Sequence, residues 1–242
     1  MQLISKDFFK LQVDFARLWS DTQSIPYDQV LFENTCLYVR LLGYNDVNRP
    51  SMQNQLWVNI LNEKPRDLQK QVDYYYKHYV TYEKTKKSSP QLNACFTYNY
   101  HADSNLFELH FVNADPKGNF SKERTNIRIQ ELTKLFQNIK SKNHDDALVK
   151  IETWMLNIDA FKRFFPIEFT QKAIFLETSL TQNYTHWGQF LSKEGNVKYE
   201  SGLWFLNNVK NNTFDHINKY FPLPAKVSLL KLSYFYKYYN VS

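Results

Sequence analysis

Glycine is scarce in this chain. Only five occur in 242 residues, at Gly43, Gly118, Gly188, Gly195 and Gly202. No two are separated by a single residue, which excludes the Gly-x-Gly-x-x-Gly turn that holds a dinucleotide. None precedes a Lys-Ser or Lys-Thr pair, so no phosphate-cradling P-loop is present. The Gly-x-Ser-x-Gly elbow of serine hydrolases and the His-Glu-x-x-His helix of zinc proteases are also missing. The two cysteines, Cys36 and Cys95, form neither a disulfide framework nor a zinc-ligand spacing. No segment approaches 18 consecutive apolar residues, so no spanning helix is expected. The first residues, MQLISKDFFKLQVDFARLW, lack the basic head and unbroken apolar run of a secretory signal. The expectation is a soluble, cytoplasmic protein in a reducing compartment.

What the chain does hold is aromatic surface. Phe, Trp and Tyr make up 17% of the residues, and hydrophobic residues 43% against 22% charged. That balance belongs to a globular chain with an aromatic-rich core. The net charge of +6 favours anionic partners, but the positive residues are scattered. In the tyrosine-rich stretch DYYYKHYVTY, Tyr75, Tyr79 and Tyr82 recur at helical spacing with Leu68 and Val72. A packing stripe explains them better than a base-stacking platform, which argues against nucleic-acid binding.

Helical spacing dominates the first third. Phe8, Leu11, Phe15 and Leu18 form one stripe behind a Ser5 N-cap. A second helix is expected from Pro26 to just before Gly43, a third over 52–62, and a fourth from Pro65. Lys, Ser and Pro replace the apolar pattern at 83–91, a candidate boundary. Period-two alternation then predicts a hairpin over 92–113, and a further amphipathic helix follows Ser121, with Ile129, Leu132, Leu135, Phe136 and Ile139 on its stripe. A buried strand is expected over 147–156, short helices at 159–164 and 167–171, and another strand in KAIFLET. The region 184–221 reads as mostly helical, broken at 194–196. The tail VSLLKLSYFYKYYNV leans towards strand through its β-branched and aromatic content. The fold class is therefore α+β: a helical N-terminal part followed by a small mixed β-sheet flanked by helices. It divides into a helical region 1–85 and an α+β region 91–242, or forms one continuous domain.

The hairpin carries the candidate chemistry. With Ala102–Asn105 as its loop, His101 pairs with Leu106, Asn99 with Glu108, Thr97 with His110 and Cys95 with Val112. Phe96, Tyr98 and Tyr100 then meet Phe107, Leu109 and Phe111 on the core side. The opposite face holds Cys95, Thr97, Glu108 and His110. Glu108 and His110 point the same way, about 7 Å apart at Cα. A carboxylate that orients an imidazole suits general-base work, and Cys95 is a candidate nucleophile. The competing reading is an ordinary solvated strand face. Glu152 and Trp154 share one side of the strand that ends near Asn157. In NYTHWGQF, His186 sits beside Trp187 and Gly188, where a helix start capped by Thr185 is the simpler reading.

The stretch ELHFVNAD…ERTNIRIQELTKLFQNI…ALVKIETWMLNIDAFKRFFP resembles a bacterial family of uncharacterised proteins. Its order of elements is similar to the C-terminal module of acyltransferase-like proteins of the GNAT-like group. The resemblance covers about residues 106–178 and rests on element order, His110 and Trp154-Met155-Leu156. It implies an acyltransferase-like enzyme acting on a small molecule or acyl carrier, with a CoA-type carrier as cofactor. His110 would be the base, Glu108 its orienting carboxylate, and Asn113, Trp154, Cys95 and Thr97 would line the site. Arg124 and Arg128 would offer charge to the phosphorylated carrier. The glycine-rich loop that holds pyrophosphate in the acetyl-CoA-using members is missing here. The alternative is a non-catalytic interaction module that docks a protein through its N-terminal helices.

Overall fold

The computed structural model describes residues 3–43, 50–85, 94–112, 114–115, 120–142, 146–176, 184–213 and 217–241. The chain is α+β and divides into two compact units, each built from two segments. The first comprises Met1–Lys87 and Glu177–Pro222, the second Ser88–Leu176 and Leu223–Ser242. Residues 177–222 thus group with the N-terminal helices and not with the sheet region, where the sequence reading put them.

The first unit is helical. It contains α1 (Lys6–Gln23), α2 (Tyr27–Glu33), α3 (Leu37–Leu42), α4 (Gln55–Glu63), α5 (Leu68–Thr85), the short α9 (Tyr184–Trp187) and α10 (Tyr199–Asn211). The single helix expected from Pro26 to Gly43 is two, interrupted at 34–36. There Thr35 Oγ1 donates to the Leu31 carbonyl and accepts from Leu37 N–H at 3.2 Å, so the side chain competes with the helical ladder. The Cys36 N–H donates to Gln12 Oε1 at 2.8 Å, which ties the break to α1. The α1 stripe buries Phe8, Phe15 and Trp19 against α5, α2 and α10. Phe15, Trp187 and Phe205 meet with centroids 5.2–5.6 Å apart. Each such ring contributes about 1.5–3 kcal/mol by leaving water. Tyr75 and Tyr79 are buried, as a packing stripe requires. Gly195 has φ +77°, and a Cβ there would stand 2.9 Å from the Leu3 carbonyl, so only glycine fits without strain.

The second unit holds one five-stranded sheet in the order β1-β2-β3-β5-β4. Its strands are β1 (Phe96–His101), β2 (Leu106–Phe111), β3 (Leu148–Thr153), β4 (Ile174–Phe175) and β5 (Lys226–Lys231). β2 and β3 run parallel and the other neighbours antiparallel, so the sheet is mixed. The parallel step requires a crossover, supplied by α6 (Thr125–Lys140). The short α7 (Asp159–Lys162) and α8 (Ile167–Gln171) fall close to the expected spans. The tail is not one strand. β5 ends at Lys231 and α11 (Leu232–Tyr239) follows at once, with Phe235, Tyr236 and Tyr239 on its buried face. Alternation gives way to a 3.6-residue period inside one aromatic run, and average β-propensity hid that switch.

One sheet face is covered. Phe107, Leu109, Val149, Ile151 and Leu230 pack with Leu132, Phe136 and Ile139 of α6 and Leu232 and Phe235 of α11. Phe136 stacks between Phe235 and Tyr239 at 5.0 and 5.1 Å. Among the described residues no helix is long and apolar enough to cross a membrane.

Candidate functional site

The hairpin register is the expected one. Phe96 pairs with Phe111, Thr97 with His110, Asn99 with Glu108 and His101 with Leu106. Asn105 takes the left-handed conformation that closes the loop, which asparagine tolerates. The aromatic face lies on the core side, with Phe96 on Phe111 at 5.4 Å and Tyr100 on Phe107 at 4.7 Å. The opposite face carries Thr97, Asn99, His101, Glu108 and His110. β3 extends it, because Glu108 also stands beside Lys150.

That face holds a row of charge. Glu108 Oε2 lies 3.0 Å from His101 Nε2, and its other oxygen lies 3.3 Å from Lys150 Nζ. Lys150 also donates to Glu152 Oε1 at 3.0 Å. Burial works to raise the Glu108 pKa, but the His101 hydrogen bond and the Lys150 charge outweigh it and hold the carboxyl below its ordinary range. Lys150 is moved upward: burial opposes its charge, and the Glu152 and Glu108 carboxylates more than compensate. The expected Glu108–His110 hydrogen bond is not formed, since both oxygens of Glu108 serve His101 and Lys150. His110 is left with a buried Nε2 that meets no partner among the described residues. Burial lowers its pKa, and the nearby Glu108 charge only partly offsets that. A neutral imidazole with an open nitrogen is the form a proton acceptor needs.

Beside His110 the sheet opens. β2 and β3 pair at Leu106–Leu148, Phe107–Val149 and Glu108–Lys150. Beyond that they pair no further, although β2 runs to Phe111 and β3 to Thr153. Leu148 N–H donates to the Asn105 carbonyl at 3.0 Å, and Val112 N–H to the Cys95 carbonyl at 2.8 Å. By strand alternation the Glu108–Lys150 pairing takes up the Leu109 N–H, and past it the Leu109 carbonyl, the Phe111 backbone and, from β3, the Glu152 backbone turn towards the side where the pairing stops. Backbone groups along such a strand edge can pair with an occupant that carries amides.

The other predicted residues scatter. Cys95 precedes β1 and is 1% exposed inside the core cluster, where burial pushes its thiol pKa up. It does not share the polar face as alternation suggested, and its burial favours the protonated thiol over the thiolate. Thr97 is half-buried opposite His110. Asn113 lies outside the described residues. Trp154 has left the strand for a 3-10 turn (Trp154–Asn157), so it no longer alternates with Glu152, and it packs against the core.

Arg124 and Arg128 are committed elsewhere. Both guanidinium groups bind Asp115 Oδ2, Arg124 Nε and Arg128 Nη2 each at 2.6 Å. Arg128 also holds Glu131 Oε2 at 2.9 Å, and Glu131 accepts the Cys95 N–H at 3.0 Å. Arg128 is 2% exposed, so this network fastens α6 to both ends of the hairpin and leaves Arg128 no reach towards a ligand. The sequence reading missed Asp115, His101 and Lys150. Lys150 alternates with Glu152 in ALVKIET, a signal that could have placed it on the polar face.

His186, in the first unit, is 1% exposed and stands edge-on to Phe221. The Thr185 side chain lies outside the described residues. Among the described residues no group of three or more His, Cys, Asp and Glu side chains is arranged to hold a metal ion. Comparisons with family models, curated proteins and solved structures return no match to this chain.

Proposed function

We propose that the second unit is an acyl-transfer enzyme that uses a CoA-type carrier and acts on a small molecule or acyl carrier. The observation that carries this reading is the parting of β2 and β3 directly beside His110. An extended arm bearing amides can pair with the strand edges exposed in such a gap, as an added strand does. The Leu109 carbonyl and the Phe111 backbone are the groups that would hold it. The phosphate end finds a poorer fit, because Arg124 and Arg128 already serve Asp115. The carrier would supply a thioester, whose carbonyl an acceptor nucleophile attacks as the thiol leaves. His110 would take the acceptor's proton at Nε2 as that bond forms. Glu108 acts on His110 through its charge and not through a hydrogen bond.

Calorimetric titration of the full chain with CoA and acetyl-CoA tests the reading. Binding is expected, with His110→Ala retaining it while turnover falls by about 10²–10⁴. Failure of both to bind, or full turnover in the variant, removes the proposal.

A second reading, partner docking without catalysis, is favoured by α10. Tyr199, Leu203 and Trp204 are 72%, 43% and 49% exposed there, more apolar surface than a lone helix face needs to show. It moves the interaction surface away from the earliest helices, where the sequence reading put it.

A further inference from the structure

We infer that the first unit carries a binding site for a small organic oxyanion, a carboxylate or phosphate ester, between Arg17 and Arg66. A surface cleft of about 380 Å³ opens among the C-terminal half of α1, the start of α2 and the start of α5. Small-molecule sites begin at roughly this size, so there is room for more than a bare inorganic ion.

Its floor is set by one hydrogen bond. Gln71 is only 4% exposed, and its Oε1 accepts the Tyr27 hydroxyl at 2.9 Å. Burial, with Asp28 and Asp14 nearby, moves the Tyr27 pKa far up, so the phenol keeps its proton and remains the donor. The Gln71 amide is thereby fixed by its oxygen, and its NH2 has no acceptor among the described residues. A nearly enclosed amide with free N–H groups in a cleft wants an oxygen.

The surrounding charge has the matching sign. Asp14 is taken by Lys10 at 2.5 Å and Asp28 by Lys64 at 2.8 Å. Asp67 caps α5 by accepting the Lys70 N–H at 2.9 Å. Asp21 is the one carboxylate that lines the cleft, and it lies 4.0 Å from Arg17 Nε, too far for a strong hydrogen bond. Arg66 makes no ion pair among the described residues. Two guanidinium groups against one carboxylate leave a surplus positive charge, and planar guanidinium forks match the paired oxygens of carboxylates and phosphates. Asp21 adds a place for a hydroxyl or amine on the same ligand. The site is independent of the acyl-transfer reading, since no residue is shared.

The test is nuclear magnetic resonance of the full chain, following the Gln71 side-chain NH2 and the arginine Nε–H signals at constant ionic strength. The probes are inorganic phosphate, glycerol phosphate and succinate, with sodium chloride as the control. Saturable shifts of these signals are expected, with glycerol phosphate stronger than inorganic phosphate if the ester is favoured and succinate strongest if the carboxylate is. Arg66→Gln, an exposed position whose change spares the fold, should weaken binding about tenfold, as the loss of a charged hydrogen-bonding partner does. Arg17→Gln should act in the same direction. No saturable shift with any probe, an equal response to chloride, or unchanged affinity in both variants overturns the site.

Discussion

Two ionic clusters in the second unit each join four side chains and have opposite characters. One joins Asp115, Arg124, Arg128 and Glu131, with Arg128 at 2% and Asp115 at 5% side-chain exposure. The other joins His101, Glu108, Lys150 and Glu152, whose side chains are 22–47% exposed. The first has arginines, whose rigid forks can satisfy several oxygens out of water. The second has a lysine and a histidine, partners that water can replace. The difference separates architecture from available chemistry: the dry cluster fixes where α6 meets the hairpin, and the wet row leaves an unengaged histidine beside it.

The comparison breaks most sharply at Arg128. Arg128→Ala leaves Asp115 buried beside a single arginine, and a loss of about 3–5 kcal/mol is expected in urea denaturation. A loss below about 1 kcal/mol would place the two clusters in one class. Glu108→Gln should cost about 1 kcal/mol or less by the same measurement, because its partners are partly solvated. The acid limb of stability sharpens the contrast further. His110 has a folded pKa below its ordinary value, so protonation is resisted in the native state, and stability falls as pH drops below about 6.5. Glu108 also has a depressed folded pKa; its contribution is full above the ordinary carboxylate value and is lost as pH falls through the lower folded value. Denaturation midpoints followed against pH should show that the first of these losses is smaller in His110→Gln. His78 is shifted the same way by burial but contributes equally to both proteins. Identical acid limbs would show that His110 titrates as it does in water. Smallest of all, Lys150→Met should weaken the row with a salt-dependent effect within about 0.5 kcal/mol, read as the change in midpoint between low and high salt.

The hairpin was legible because two independent signals agreed. Its aromatic alternation fixed the faces, and the four-residue turn fixed the pairing. The partners of Glu108 were not legible, because Lys150 lies 42 positions away and meets it only through the β2–β3 pairing. Cys95 was misplaced by extending alternation one residue past the start of β1, where the chain bends into the core. The break in the second helix depended on Thr35 turning its hydroxyl back on the backbone, which composition does not announce. The region 184–221 reads from the sequence as mostly helical, broken at 194–196. That reading could not say what the region packs against, so its grouping with the N-terminal helices went unseen.

β5 lies between β3 and β4, yet follows both in the chain by many residues. During synthesis, β3 must wait beside a vacant lane while the whole of 177–222 is made. For that interval Val149 and Ile151 stand next to an unpaired strand edge, the kind of surface on which nascent chains stick to one another. A growing polypeptide of this design is exposed until a late insertion closes it, and a chaperone that shields strand edges would have its greatest effect in that window.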